Sequence, residues 1–277
     1  MKNFHYLILI LALIFLNSCE DVIELDLPEA DKKMVVDGWF TDDTDLHSIK
    51  LSLTGPYFDN NPTPRVNGAT VTITDNKGNS FRMEEASEGL YQQNFNLEQG
   101  NIYTLHITTA EGKEYISEGE KLTAVPPIDS LYFKYNEKTI FEDEGYYLFL
   151  NLKDPAGQKN FYRWKYYING DFQNKAEDLT FVSDKLVDGN EIKDIQFNWG
   201  PLKTGDLVRI EQISISENGY KYINVLEDQL LYGGGTFARP PAPIKGNIVS
   251  KNDPRETVLG FFGISSVTSK EILIVED

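Results

Sequence analysis

Histidine, the usual general base of nucleophilic catalysis, is scarce in this chain. The sequence contains three histidines, and because His5 lies in an N-terminal apolar segment, only His47 and His106 remain as candidates. A serine-histidine-aspartate triad would need one of them, and the segment most similar to a nucleophile elbow, residues 263–267, lacks that motif's second glycine. Strand alternation around residues 103–107 directs His106 away from the apolar face, toward solvent. We therefore predict no catalytic residue and no enzymatic activity.

Acidic residues are abundant, but none of them forms a recognisable metal or glycosidase motif. Residues 42–45, 59–61 and 75–79 offer oxygen ligands of the kind that calcium prefers, yet none follows the helix-loop-helix calcium pattern. Turn chemistry explains all three segments, because Asp, Asn and Gly favour tight turns. A zinc site of histidine and cysteine ligands is disfavoured by the shortage of both residue types. We predict no metal and no cofactor, with calcium at one of these segments as the alternative.

Aromatic side chains are the remaining candidates for recognition chemistry. In the strand predicted at residues 161–167, Tyr162, Trp164 and Tyr166 share one face and Tyr167 lies on the other. Core packing is the favoured interpretation for one face, and a sugar-stacking or ligand surface is the alternative. The candidate ligand contacts are Trp164, Tyr166, Tyr167 and Trp199.

The only cysteine follows a segment with the features of an export signal. Residues 1–18 combine an early lysine with an apolar run over 6–16, which is shorter than the roughly 20 residues of a membrane-spanning helix. Leu16-Asn17-Ser18-Cys19 resembles the bacterial lipobox, which implies cleavage between Ser18 and Cys19 and acylation of Cys19. Buried acyl chains contribute about 0.8 kcal/mol per methylene group, so such an anchor is stable. A soluble secreted protein is the alternative.

The mature chain is strongly acidic. Removal of residues 1–18 takes away one lysine and no acidic residue, which leaves 25 basic and 43 acidic residues and a formal charge of −18. This charge repels phosphate backbones and disfavours nucleic acid as a partner. With Cys19 acylated, no cysteine remains for disulfides, so the folded state depends on packed cores.

Periodicity predicts a mainly β protein with two β-sandwich-like domains. Apolar and polar residues alternate in many short segments separated by Gly, Asn and Asp turns, and aromatic residues suited to sheets are frequent. Near the end, apolar residues at i, i+3 and i+7 predict a single helix over residues 218–232. The predicted organisation is a signal peptide (1–18), a lipidated acidic tether (19–33), an N-terminal β-sandwich (34–122), a proline linker (123–127) and a C-terminal β-rich domain (128–277).

Several short stretches resemble the Bacteroidota outer-membrane lipoproteins grouped as domain-of-unknown-function family 4249. They cover essentially the whole mature chain: residues 34–39 (MVVDGW), 66–71 (VNGATV), 89–91 (GLY), 100–103 (GNIY), 128–131 (IDSL), 246–250 (GNIVS) and 259–262 (LGFF). The resemblance implies a two-part β-rich lipoprotein, often encoded beside TonB-dependent transporters of the starch-utilisation type. The first half is also similar to transthyretin-like and carboxypeptidase-regulatory β-sandwiches. The family carries no assigned catalytic residues, so none is transferred.

Anchor and resemblance together predict a function. We expect an outer-membrane lipoprotein, facing the cell surface, that acts as a non-enzymatic accessory or binding subunit of a TonB-dependent barrel protein and contacts an unidentified nutrient. A structural or assembly subunit of an outer-membrane complex is the first alternative. A surface carbohydrate- or peptide-active enzyme is the second.

Overall fold

Strands dominate the computed structural model, which describes residues 31–55, 62–140, 143–197, 200–232 and 244–276. Within these ranges one α-helix, α1 (Glu217–Tyr232), and two short 3-10 turns, Ala176–Asp178 and Asp184–Leu186, accompany the strands. The predictions of a mainly β chain and of one helix near residues 218–232 are confirmed. The strands are β1 (Met34–Thr41), β2 (Leu46–Leu53), β3 (Thr70–Asp75), β4 (Ser80–Ser87), β5 (Leu90–Asn94), β6 (Ile102–Thr108), β7 (Glu114–Ser117), β8 (Glu120–Lys121), β9 (Ile128–Asn136), β10 (Gly145–Lys153), β11 (Phe161–Ile168), β12 (Asp171–Phe172), β13 (Thr180–Ser183), β14 (Glu191–Gln196), β15 (Leu207–Ser214), β16 (Ile248–Ser250), β17 (Leu259–Ser265) and β18 (Val267–Leu273).

The largest sheet has ten strands in the order β16-β7-β6-β3-β4-β5-β2-β1-β17, with β8 paired to β6. Its strands alternate between buried and more exposed residues, as a sheet with one face on the core requires. The side chains on the inner face form one apolar cluster, which includes Val36, Ile49, Leu51, Val71, Ile73, Leu105, Ile107, Phe262 and Ile264. This cluster is the larger of the two main cores.

The two ends of this sheet approach each other, so the sheet is nearly closed. The end strand β17 pairs in parallel with β1, and the opposite end strand β16 pairs with β7. Asn247, just before β16, accepts a hydrogen bond from the Phe262 N–H at 3.0 Å and donates one to the Phe262 carbonyl at 2.8 Å. The amide side chain thereby replaces a backbone partner between the two ends.

The predicted boundary at residues 123–127 places β16 and β17 in the second domain, whereas both are strands of the first sheet. Strand periodicity defines which face of a strand is apolar but not which strand lies beside it. The partners β1 and β17 lie more than 200 residues apart in sequence, and such a pairing has no local signal.

The second half of the chain contributes two smaller sheets that pack around their own core. One has the order β14-β10-β9, and the other has the order β12-β11-β15-β18, with β13 beside β11. The core between them is rich in aromatic and branched residues, including Leu148, Leu150, Leu152, Tyr162, Trp164, Tyr166, Phe197, Val208 and Ile210.

The sheets are joined by more than the linker. Only one residue, Ser266, separates β17 in the large sheet from β18, which lies in the sheet that also contains β11 and β15. The linker itself lies against β15, because Gln212 donates to the Pro126 carbonyl at 2.7 Å and Ser214 donates to the Thr123 carbonyl at 2.6 Å. The residues from Lys32 onward accordingly form one compact unit.

Helix α1 begins at a serine cap. The Ser216 hydroxyl oxygen accepts a hydrogen bond from the Gly219 N–H at 3.0 Å, which satisfies one of the free donors of the first turn. The helix buries Ile223 against a small cluster that includes Ile213, Ile215 and the partly buried Trp39. No helix in the described ranges is both long enough and apolar enough to cross a bilayer.

Candidate functional site

A pocket of about 300 Å³ lies where helix α1 meets the closing edge of the large sheet. The helix supplies one wall, and the segment before β16 together with β17 supplies the other. The lining residues are Glu118, Asn218, Lys221, Tyr222, Val225, Lys245, Gly246, Asn247 and Phe261. The pocket therefore exists because the sheet closes through the Asn247 side chain, with the helix packed beside that seam.

Stacked aromatic rings form the apolar wall of the pocket. The ring of Tyr222 stacks on Phe261 at 5.0 Å between centroids, and Phe261 stacks on Trp39 at 5.3 Å. The Trp39 indole N–H donates a hydrogen bond to the Ser265 hydroxyl at 2.7 Å, which fixes the innermost ring. A Cβ at Gly263 would lie 2.7 Å from that indole, so the stack requires glycine there.

Charged and amide groups form the polar wall. Lys221 and Lys245 are both lining residues, and the Lys221 ammonium group is paired with Glu217 one helical turn earlier at 2.8 Å. Asn218 donates a hydrogen bond to the Glu118 carboxylate at 2.5 Å across the mouth of the pocket. The Lys221 pair is solvent-exposed, so it leaves the ammonium group available to a ligand at little cost in free energy.

A buried carboxyl lies behind the polar wall. Glu120 on β8 is 1% exposed and accepts a hydrogen bond from the Asn247 amide at 2.9 Å. Burial raises the pKa of the Glu120 carboxyl to about 7, and hydrogen bonds from Ser216 and Asn247 only partly oppose this shift. Near neutral pH Glu120 is therefore present in both its protonated and its ionised form. Its carboxyl is hydrogen-bonded to Ser216, which caps α1, and to Asn247, which joins the ends of the large sheet.

This arrangement is suited to binding. It combines an aromatic face with ammonium and amide donors and one carboxylate, as small-molecule sites commonly do. The lining of described residues contains no histidine, serine or cysteine.

The comparison with protein families identifies the chain. The model of the family described as domain of unknown function (DUF4249) matches residues 20–271. The chain belongs to this family. The resemblance noted from the short sequence stretches is confirmed, and it extends over nearly all of the chain. No curated protein matches the sequence.

Three of the predicted ligand contacts of this DUF4249 protein, Trp164, Tyr166 and Tyr167, are not among the residues that line the pocket. Trp164 is 2% exposed and its indole N–H donates to Gln212 at 3.0 Å, while Tyr166 is 5% exposed and its hydroxyl donates to Asp178 at 2.7 Å. Both rings belong to the second core. Core packing was the favoured interpretation for one face of this strand. Tyr167, on the other face, donates to Glu211 at 3.0 Å.

The remaining predicted site residues fall outside the described ranges. These are Ser18 and Cys19 at the predicted cleavage site, and Trp199 among the aromatic candidates. The same applies to the acidic segment at residues 59–61 and to all of the predicted signal peptide.

Both candidate histidines have structural partners. His47 is 2% exposed, stacks on Phe40 at 4.7 Å and donates from Nε2 to the Phe95 carbonyl at 2.9 Å. His106 lies on the half-exposed face of β6, where Nε2 is 2.9 Å from the Thr74 hydroxyl.

In the two described acidic segments considered for calcium, the aspartates accept hydrogen bonds that stabilise a turn or join neighbouring segments. Asp75 accepts the Lys77 and Asn79 N–H groups at 2.9 Å each, as a turn-forming aspartate does. Asp42 accepts hydrogen bonds from the Val267 N–H and the Ser266 hydroxyl and so fastens β1 to the β17–β18 connection.

None of the residues that line the pocket was predicted as a site residue from the sequence. Lys221 and Tyr222 stand on a helix that was predicted, and Asn247 stands in the stretch 246–250 that carried the family resemblance. Neither pattern shows that the two segments face each other. Alternation from the buried Ser117 would place residues 119 and 121 inward, so periodicity gave no signal for the buried Glu120.

Proposed function

We propose that this chain is an outer-membrane lipoprotein that serves as a non-enzymatic binding subunit of a TonB-dependent nutrient transporter. The lipobox-like sequence ending at Cys19 supports the anchor, and residues 20–33 supply an acidic spacer to the folded body. The link to a transporter rests on the association of DUF4249 lipoproteins with genes for such transporters, which the sequence resemblance implies. The site of action is the cell-surface side of the outer membrane.

The observation that carries the binding role is the pocket between α1 and the seam of the large sheet. Its volume of about 300 Å³ is at the lower end of the range for small-molecule sites. The stacked rings of Tyr222 and Phe261 offer a flat apolar surface, while Lys221 and Lys245 offer positive charge in an otherwise acidic protein. We therefore infer a small nutrient or nutrient fragment with one ring-like or apolar face and one anionic or hydrogen-bond-accepting group.

Nutrient uptake in the source bacterium tests this proposal. A strain that lacks the gene is complemented with wild-type protein, with the double variant Lys221→Met/Lys245→Met, or with Lys50→Met as the matched control. Lys50 is an exposed lysine on β2, remote in sequence from the pocket-lining residues. Growth is measured on single nutrients from several chemical classes.

The proposal predicts a growth defect confined to one nutrient class, restored by wild type and by Lys50→Met and not by the double variant. A defect on every nutrient, with sensitivity to detergents, would instead support a structural subunit of the envelope. Turnover of a substrate by the isolated protein would support an enzyme.

The anchor has a separate test. The mass of the protein extracted from membranes is expected to show loss of residues 1–18 and the addition of acyl chains at Cys19. An unmodified Cys19 in protein recovered from the aqueous fraction would contradict the anchor without bearing on the pocket.

A further inference from the structure

Three aspartates gather at one end of the second half of the chain, about the β10–β11 connection. Asp154 follows β10, Asp184 opens the 3-10 turn after β13, and Asp188 lies just beyond that turn. One carboxylate oxygen from each lies within 4.8 Å of the others. Two oxygens bound to one calcium ion at about 2.4 Å can be no further apart than this, so the spacing suits a shared ion.

Two of these carboxylates are buried without a compensating cation. Asp154 is 1% exposed and Asp184 is 3% exposed. None of the ion pairs among the described residues includes Asp154, Asp184 or Asp188. Buried carboxylates are normally paired with a cation or bound to a metal. Because no described side chain forms an ion pair with these aspartates, a bound metal ion is the remaining source of positive charge.

Hydrogen bonds hold the three carboxylates in place and leave lone pairs free. Asp154 accepts the Tyr162 hydroxyl at 2.6 Å and the Gly189 N–H at 3.0 Å. Asp188 accepts the Gly157 N–H at 2.8 Å. Each carboxylate oxygen has two lone pairs, so an oxygen that accepts one hydrogen bond can still coordinate an ion.

A fourth oxygen, on Asn160, points to a ligand independently of the aspartates. Asn160 is 4% exposed, and its side-chain Oδ1 is buried with no hydrogen-bond partner among the described residues. Its backbone N–H donates to the Asp184 carboxylate at 2.6 Å and its carbonyl accepts the Asp184 N–H at 3.0 Å. A buried amide oxygen without a partner costs about 1–3 kcal/mol, which a bound cation would offset.

Strand register places the Asn160 side chain on the same sheet face as that of Asp184. β11 and β13 are antiparallel with Phe161 opposite Ser183, and continuing that register places Asn160 opposite Asp184. Residues directly opposite each other project from the same face of a sheet. Tyr162, two residues further along, projects from that face as well, and its hydroxyl reaches Asp154.

From this geometry we infer that Asp154, Asp184, Asp188 and the Asn160 side-chain oxygen form a calcium-binding site. Carboxylate and amide oxygens are hard ligands that suit calcium and magnesium rather than zinc. Calcium accepts six to eight oxygens in irregular geometry, whereas magnesium demands a regular octahedron and keeps its own water. A site built from two loops and a short 3-10 turn therefore favours calcium. The ion would fasten the β10–β11 connection to the turn after β13.

Calorimetry and thermal unfolding of the full-length protein in detergent test the site. The protein is treated with EDTA, exchanged into chelator-free buffer and titrated with CaCl₂ or MgCl₂. The variants are Asp188→Asn, which retains an oxygen to accept the Gly157 N–H, and Asp184→Asn, which removes a buried charge. Asp171→Asn, at an exposed position on β12, is the matched control.

The expected result is one calcium per chain with a Kd between about 10 μM and 1 mM and weaker binding of magnesium. Calcium raises the unfolding temperature of wild type and of Asp171→Asn. Asp188→Asn weakens calcium binding about tenfold or more. Asp184→Asn unfolds at a higher temperature than wild type in EDTA, because repulsion is relieved, and no longer responds to calcium.

Two results would overturn the inference. One is the absence of calcium heat and of any calcium-dependent shift in a folded wild-type protein. The other is calcium binding that Asp184→Asn and Asp188→Asn leave unchanged, because the ion would then lie elsewhere.

Discussion

The side-chain amide of Asn247 donates a hydrogen bond to the Glu120 carboxyl, with 2.9 Å between Nδ2 and Oε1, and both residues are buried. The same amide bonds to the Phe262 carbonyl at 2.8 Å and so holds the two ends of the large sheet together. One residue thus links the closure of the sheet, a titratable carboxyl and the wall of the pocket. The protonation of Glu120 is therefore coupled to the stability of this seam.

Stability is expected to fall as the pH rises through the titration of Glu120. Burial raises the pKa of Glu120 to about 7 from an ordinary value of 4.5, so between these values the folded state binds more protons than the unfolded state. Linkage then gives a loss on the order of 3 kcal/mol between pH 4.5 and pH values well above 7. Glu120→Gln is expected to flatten this limb of the free energy of unfolding, measured by urea denaturation from pH 5 to pH 9. Glu88→Gln, at an exposed turn, should leave the limb unchanged.

His47 is expected to lower the free energy of unfolding as the pH decreases, which is the opposite of the effect of Glu120. Burial lowers the pKa of His47 below 6.5, so below that pH the unfolded state binds more protons and stability falls as the pH decreases. His47→Gln keeps a donor for the Phe95 carbonyl and removes the titration. Urea denaturation in the Glu120→Gln background isolates the effect, and an acid limb that persists in the double variant would assign it to other groups.

Closure of the sheet is expected to depend on the absence of a side chain at Gly246. A Cβ there would lie 1.5 Å from the Gly260 carbonyl oxygen, which is backbone and cannot move aside cheaply. Gly246→Ala should therefore destabilise the protein by about 3 kcal/mol or more, because only backbone displacement relieves the clash. At Gly200 no atom of the described residues beyond its chain neighbours lies within 4 Å of an added Cβ. Gly200→Ala is therefore the control, with an expected change under about 1 kcal/mol in denaturant unfolding.

The hydrogen bond between Trp39 and Ser265 is expected to contribute measurably to the free energy of unfolding. Ser265 is fully buried, so Trp39→Phe leaves its hydroxyl without the indole donor and should cost about 1–3 kcal/mol. In a double-mutant cycle with Ser265→Ala, the coupling free energy should be about 1 kcal/mol. Additive effects of the two substitutions would show that the contact contributes nothing.

The local structure was largely predictable because it follows from periodicity. The strand predicted at residues 161–167 corresponds to β11, and the predicted helix over 218–232 corresponds to α1. Each of these segments carries its own alternation or helical stripe and its own turn residues. The apolar stripe of the helix was defined by Ile223, Leu226 and Leu230. Ile223 is 1% exposed in α1, whereas Leu230 is 51% exposed.

The pocket and the aspartate cluster were not predictable, because their residues come together only through long-range pairing. Lys221 and Gly246 become neighbours through a sheet whose end strands are β16 and β17, and no local pattern gives that order. Asp154 and Asp184 are thirty residues apart in sequence, and in a chain with 43 acidic residues no pair stands out. Trp164 illustrates the converse, because strand alternation alone favoured core packing for one face of β11, and Trp164 packs in the core.

Affinity isolation of the intact protein from native membranes in mild detergent tests directly whether it is a lipid-anchored subunit of a TonB-dependent transporter. We expect wild type with Cys19 intact to retain one TonB-dependent outer-membrane protein in near-equal amount, and Cys19→Ser, released from the membrane, to retain much less. Isolation of membrane-extracted wild type with no such transporter, or with many unrelated envelope proteins in similar amounts, would contradict it.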